Sequence, residues 1–361
     1  MRIVLHAGLH KSGTTSIQGG WKDAYGDHRE VWYPPPPPGP PGHHRLVRPM
    51  LRGFVDGLSP DLVRASVAFH EQTHKRQTLA GVVAEARKQG VGTLLLSSED
   101  LDRAREEDRA GLREALGDHD VTVVLTATRP VHRWCAGWQT LVRHGLAEYP
   151  ADALRHVVDF AALRPGRLPE LAALVPGATC LIRLVRHSPV EPDLAADLAA
   201  ALGFPAAERA ASQPILNPSL GTDTEVVLRI NRADLALGTD RQGKEVLTRL
   251  RGDGFVFRDA PELAERYAIP AQVLEYAAAE AAWLRAAAEA DGQPTILDPH
   301  GVLDTWTDPS VSEWYDVVSR REAVLPELDD AAADRETQLW RVRQQRFAYW
   351  KKLEQLTAPQ A

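Results

Sequence analysis

Cysteine is nearly absent from this chain. Cys135 and Cys180 are the only two in 361 residues, which excludes a disulfide framework, and they give no metal-ligand spacing. No long apolar run crosses the sequence and no signal-like segment precedes its first strand, so neither a membrane span nor export is expected. The expected location is cytoplasmic, with no membrane partner. A basic excess is lacking too. The formal net charge is −7, which argues against a nucleic-acid binder that works by broad phosphate neutralisation. That balance still leaves room for a small basic pocket holding a nucleotide. No internal repeat is visible. What remains is an ordinary globular composition, 44% hydrophobic and 25% charged, long enough for one elaborated α/β domain or two.

Strand and helix patterns alternate through the first 205 residues. Arg2–Leu5, Thr93–Ser98, Val121–Thr128 and Thr179–Val185 read as buried strands. Helical patterns cover Thr15–Tyr25, Leu79–Gln89, Leu101–Leu116, Val131–His144 and Pro192–Leu202, with Gly90, Gly117, Gly145 and Gly203 as stops. Such alternation predicts a parallel α/β sheet flanked by helices. Pro34 to Pro41 can be neither helix nor central strand, because proline lacks the N–H and fixes φ. The run reads as an exposed polyproline connector; the wall of an acceptor site and an SH3-type ligand are its functional readings. His43 and His44 follow it as loop residues that could line a site. Beyond residue 205 the pattern is mostly helical, at Thr224–Leu235, Gly243–Leu250, Pro270–Ala290 and Leu325–Leu356, with Asp291–Ser312 as a loop. The expected domains are therefore an α/β core over residues 1–205 and a helical elaboration over 206–361. The last helix reads as packing back on the core, with the arm of a homodimer as its second reading.

Chemistry concentrates at the amino terminus, in MRIVLHAGLHKSGTTSIQ. A short aliphatic strand runs into Gly8–Gly13, then into Thr14, Thr15 and Ser16, and a helix begins. Strand, glycine-rich turn and helix start make an anion site: backbone N–H groups converge, hydroxyls add donors, and the helix N-terminus favours negative charge. Gly8 and Gly13 have Walker A spacing, but that motif needs lysine directly after the second glycine. Thr14 stands there instead, and Lys11 lies two residues before Gly13.

The order Lys11-Ser-Gly-Thr-Thr resembles the 5′-phosphosulfate loop of sulfotransferases that use 3′-phosphoadenosine 5′-phosphosulfate (PAPS). The longer string His6-Ala-Gly-Leu-His-Lys-Ser-Gly-Thr-Thr-Ser-Ile-Gln looks like the bacterial branch of that family. The resemblance implies a P-loop-like α/β fold, PAPS as co-substrate and no metal. It also implies nucleotide contacts from His10, Lys11, Ser12, Gly13, Thr14, Thr15 and Ser16. The string Thr126-Ala-Thr-Arg-Pro-Val-His-Arg-Trp-Cys-Ala-Gly-Trp-Gln resembles the family's second signature, whose arginine contacts the 3′-phosphate; that arginine is Arg129 here. The family's serine eight residues later is Gly137, and Trp138-Gln139 comes one residue early. Arg133 or His132 is then the candidate substitute. The stretches Ser97-Ser-Glu-Asp-Leu and Asn217-Pro-Ser-Leu through Leu228–Arg232 resemble further blocks, so the likeness covers residues 1 to 235.

Glu99 ends a strand beside the expected donor site. There it could take the proton of an attacking hydroxyl or amine, or act only as a carboxylate stabilised by a helix N-terminus. His6, His10 and His44 are competing bases, and His10 could instead shape the loop. The resemblance implies in-line sulfuryl transfer, with Lys11 neutralising the leaving nucleotide; members use either a glutamate or a histidine as base, so it does not choose between Glu99 and the histidines. The acceptor is expected to be a small molecule or carbohydrate, with Trp32, Tyr33, Trp134 and Trp138 as a candidate aromatic surface. Two alternatives stand beside it: a P-loop kinase or other NTP-using enzyme, and a non-catalytic nucleotide-binding scaffold.

Overall fold

A computed structural model of the chain describes residues 1–36, 42–47, 50–51, 78–143, 146, 148–161, 163–186, 194–205, 221–236, 256–290 and 292–324. The helices read at Gly243–Leu250 and Leu325–Leu356, the end of the proline run, Gly145 and Asn217–Leu220 lie outside these residues. By contacts the chain divides into two units. The first is residues 1–134, 158–218 and 271–309; the second is 135–157, 219–270 and 310–361.

Among the described residues the strands are β1 (Arg2–His6), β2 (Val31–Trp32), β3 (Thr93–Ser97), β4 (Asp120–Ala127), β5 (Thr179–Leu184), β6 (Val256–Asp259), β7 (Thr295–Leu297) and β8 (Arg321–Val324). Six of them form one sheet in the first unit, in the order β2-β3-β1-β4-β5-β7. Each neighbouring pair is parallel. The expected parallel α/β sheet is therefore present. Its period-two pattern divides the core: Ile3 and Leu5 of β1 join one buried cluster, with Leu94, Leu96, Val123 and Leu125. Val4 joins the other, with Leu95 and Val124. Helices Leu79–Gln89, Glu106–Leu116 and Ala271–Glu289 supply Val82, Leu112 and Leu284 to the first face. Helix α1 (Thr14–Tyr25) and helix Leu194–Ala201 supply Ile17, Trp21, Leu194 and Leu198 to the second. Fully burying each such side chain contributes roughly 1.5–3 kcal/mol. These two helices touch closely because Gly20 has no side chain; a Cβ there would lie 2.7 Å from Ala195 Cβ.

Two elements depart from the sequence reading. The helix expected over Leu101–Leu116 is broken into a 3₁₀ turn, Glu99–Arg103, and an α-helix from Glu106. The Asp108 carboxylate accepts the Arg105 N–H at 2.9 Å and starts a new helix there. The loop expected over Asp291–Ser312 contains β7, which pairs Leu181 with Thr295 at the edge of the sheet. Residues 271–309, read as part of a C-terminal elaboration, thus belong to the unit that holds the sheet.

The second unit is not purely helical, since β6 and β8 pair antiparallel from Val256↔Val324 to Asp259↔Arg321. Its core includes Trp138, whose ring meets Tyr267 edge-on at 5.6 Å. Tyr33, Trp134 and Trp138 are each fully buried, so they serve as core rather than as an open aromatic surface. No described helix is long and apolar enough to cross a membrane.

Candidate functional site

The sheet order places β1 between β3 and β4, and the chain leaves β1 to build first one side of the sheet and then the other. The carboxyl end of β1 is therefore a switch point, where open α/β sheets bind ligands. Residues 7–13 leave it as a loop tied down by main-chain bonds. Ala7 N–H donates to Val124 O (2.9 Å), Leu9 N–H to Thr126 O (2.7 Å) and Thr126 N–H to Gly8 O (2.6 Å).

A directional chain of side-chain bonds stiffens the floor of this loop. His6 Nδ1 lies 2.8 Å from Ser97 Oγ, and its Nε2 lies 3.2 Å from Thr126 Oγ1. Thr126 Oγ1 in turn lies 2.8 Å from Ser12 Oγ, which donates to Leu9 O at 2.5 Å. One proton assignment uses every group: Ser97 donates to Nδ1, Nε2–H to Thr126, Thr126 to Ser12, and Ser12 to the carbonyl. It requires a neutral His6, and burial pushes that imidazole down to about 3. His6 is thus a strut between three strand ends and not a titrating base. His43 is a second such strut. It accepts the Ser97 N–H on Nδ1 at 3.0 Å and donates from Nε2 to Pro34 O at 2.9 Å, with burial pushing it to about 4.

Above this floor the loop turns sharply. Gly8 and Gly13 adopt φ of 90° and 85°, and Lys11 holds φ 65° without being glycine. Such a conformation costs on the order of 1–3 kcal/mol and clusters at functional sites. Gly8 is confined as well, since a Cβ there would lie 3.3 Å from Glu99 Cα. Gly13 precedes α1, so the first-turn N–H groups of Thr14 and Thr15 have no carbonyl partner within the helix. Ser16 and Ile17 instead donate to Gly13 O. Gly13 and Ser16 are exposed, and Lys11 and Thr15 half-buried, whereas His10, Ser12 and Thr14 are buried.

The residues after β3 close on this loop. Thr14 Oγ1 donates to Glu99 Oε2. Asp102 Oδ2 accepts both the His10 N–H (2.6 Å) and His10 Nδ1–H (2.7 Å). His10 Nε2 stands 3.9 Å from both Glu99 Oε1 and Asp100 Oδ1. Asp100 Oδ2 lies 3.2 Å from His44 Nδ1, which also meets Ser98 Oγ at 3.2 Å. Burial would push His10 below its usual value, but the charges of Asp102 and Glu99 and the Asp102 hydrogen bond outweigh it, and the net shift is upward.

Arg129 follows β4, three residues beyond Thr126. Its Nη1 pairs with Asp308 at 2.9 Å, and its Nη2 lies 2.6 Å from His132 Nε2. Arg133 points elsewhere. It is fully buried, bonds both oxygens of Glu280, and gives its Nε–H to Thr128 O at 3.1 Å. That commitment removes Arg133 as the substitute for the serine that Gly137 replaces; His132, against Arg129, keeps the position.

His10 and Thr14 thus both meet Glu99, Ser12 joins the floor beneath them through Thr126, and Arg129 reaches the same sheet end from β4. Asp102 and Asp308 were not singled out from the sequence. Asp102 had a signal: three residues after Glu99, it falls on the same side of a 3₁₀ turn. Asp308, 179 residues from Arg129, had none. Neither family models, curated proteins nor solved structures give a match to this chain.

Proposed function

We propose that the chain is a PAPS-dependent sulfotransferase with a P-loop-like nucleotide turn. The observation that carries the reading is the hydrogen-bonded junction of Gly8 and Leu9 with Thr126. It holds the glycine-rich turn and the strand that leads to Arg129 at one switch point of a parallel sheet. The residues present suit such a nucleotide. The turn offers glycine backbone, first-turn N–H groups, hydroxyls and a lysine, and Gly13 leaves no room for a side chain, since a Cβ would meet Leu194 at 3.0 Å.

When bound, the nucleotide supplies the sulfuryl group and departs as adenosine 3′,5′-bisphosphate. The first-turn N–H groups of Thr14 and Thr15 and the hydroxyls of Thr15 and Ser16 hold its 5′-phosphate, over a loop shaped by Ser12 and Gly13, and Lys11 meets the charge left on the departing oxygen. Arg129 binds the 3′-phosphate in exchange for, or shared with, Asp308. Glu99 takes the proton of the acceptor hydroxyl or amine, and Thr14 fixes its carboxylate. Transfers of this kind depend on positioning and charge more than on covalent help from the protein.

Thermal-shift titration with adenosine 3′,5′-bisphosphate, adenosine 5′-phosphate and ATP plus Mg²⁺ tests the reading, followed by sulfate transfer from PAPS to a panel of hydroxyl and amine acceptors. Preference for the bisphosphate with transfer supports it. Stabilisation by Mg-ATP alone replaces it with an NTP-using enzyme, and bisphosphate binding without transfer to any acceptor leaves a nucleotide-binding scaffold.

A further inference from the structure

We propose that Asp102 is a positioning residue of the anion loop: it holds His10 there as an imidazolium, the cation that lets three carboxylates stand beside an anion site. The inference rests on the nucleotide-binding reading above. Its ground is the arrangement around one ring. A single oxygen, Asp102 Oδ2, takes both the backbone N–H and the Nδ1–H of His10, at 2.6 and 2.7 Å. The other nitrogen, Nε2, faces two more carboxylates, Glu99 Oε1 and Asp100 Oδ1, at 3.9 Å each. Both ring nitrogens look at groups that only accept, and a doubly protonated ring suits both. Asp102 Oδ1 is buried without a hydrogen-bond partner among the described residues, and the Arg167 guanidinium acts on this carboxylate through its charge.

The surrounding charges are few. Arg103, on the same turn, opposes protonation of His10, whereas Asp102 and Glu99 favour it. Arg167 gives its Nε–H to the backbone oxygen of Asp102 at 2.9 Å, and His44 lies against Asp100 at 3.2 Å. Lys11 is the next residue in the loop. With His10 neutral, the cluster of Glu99, Asp100 and Asp102 would be one positive charge poorer as a multiply charged anion approaches. A bound anion adds to the negative field and raises the affinity of His10 for its proton further. Anion binding therefore takes up a proton: affinity is highest while free His10 is charged and falls as pH rises through its raised value.

The test is calorimetric titration of the full chain between pH 7 and 9.5. One probe is adenosine 3′,5′-bisphosphate, whose phosphates ionise near pH 6 and are fully charged in this range. The other is inorganic sulfate, whose charge is constant. Wild-type affinity for both should fall by roughly three- to tenfold across the range. Asp102→Asn keeps an oxygen for the His10 N–H but removes one negative charge together with the His10 proton, so its affinity should be independent of pH across the range. His10→Gln should be equally flat, and it carries the comparison if D102N proves unstable. Wild-type-like slopes in these variants would overturn the proposal, as would a flat wild-type profile. Sulfate binding with a slope lost in the variants, but no bisphosphate binding, would sink the sulfotransferase reading and leave Asp102's role standing. No binding of either anion sinks both.

Discussion

Arg129 and Asp308 form an ion pair, Nη1 to Oδ2 at 2.9 Å, in which the arginine side chain is 11% exposed and the aspartate 42%. The guanidinium proposed to read a 3′-phosphate is therefore already engaged by a carboxylate near solvent. A phosphate must displace or share it. Asp308→Asn should strengthen binding of adenosine 3′,5′-bisphosphate severalfold and leave adenosine 5′-phosphate unchanged. Arg129→Ala should weaken the bisphosphate by about tenfold or more, as expected for losing charge-assisted hydrogen bonds. Calorimetry with the two nucleotides checks both variants, and equal losses for the two would remove Arg129 from the 3′ site.

Lys11 and Glu99 are proposed to act at opposite ends of the transferred group, so their variants should separate. Lys11→Ala should cut turnover by about 100-fold or more while circular dichroism stays native. Glu99→Gln keeps an oxygen for the Thr14 hydroxyl, so nucleotide binding should persist while transfer falls roughly 10²- to 10⁴-fold. If E99Q transfers sulfate at the wild-type rate, Glu99 is not the base.

Acid should unfold the first unit through its neutral histidines. Burial holds His6 at about 3 and His43 at about 4, both below the ordinary 6.5. Between those values and 6.5 the unfolded chain binds protons that the folded chain refuses. Stability is then full above about pH 6.5 and is lost as pH falls, by up to about 1.4 kcal/mol per pH unit for each ring. His10, shifted the other way, contributes stability that is complete below pH 6.5 and lost only above it, so it leaves this acid loss unopposed. Denaturant titrations at pH 7, 6 and 5 measure the slope. Ser97→Ala removes the donor to His6 Nδ1 and should cost about 1–3 kcal/mol at pH 7.

Glu225 gives the second unit the opposite dependence. It is fully buried, accepts from the Tyr267 hydroxyl, and has a second oxygen, Oε1, with no partner among the described residues. Burial pushes it from 4.5 up to about 7, despite that hydrogen bond and the charges of Arg229 and Arg232. Its folded value is the higher one, so stability falls as pH rises through 4.5 to 7, by on the order of 3 kcal/mol in all. Glu225→Gln should raise the melting temperature at pH 8 and leave it nearly unchanged at pH 5.

The sequence exposed the sheet wherever a strand was long and apolar. Arg2–Leu5, Thr93–Ser98, Val121–Thr128 and Thr179–Val185 fall on β1, β3, β4 and β5 because buried parallel strands are continuous aliphatic runs. Strands β2 and β7, of two and three residues, carry no such run and are defined only by their neighbours. At the site, the glycines, hydroxyls and Glu99 were legible because a turn and a strand end mark themselves locally. The partners of His10 and Arg129 were not. Asp102 acts through the phase of a 3₁₀ turn that had read as α-helix, and Asp308 meets its arginine only through the return of residues 271–309 to the sheet.

That return also governs the order of assembly. β5 pairs with β4 on one side and waits for β7 on the other, Leu181 against Thr295. During synthesis the open flank of β5 stays bare while everything between Val185 and Pro294 is made. An unpaired strand flank is a template for association with other chains. A nascent chain stalled anywhere in that interval exposes this sticky border, which makes the interval the period in which a ribosome-bound chaperone would protect it most.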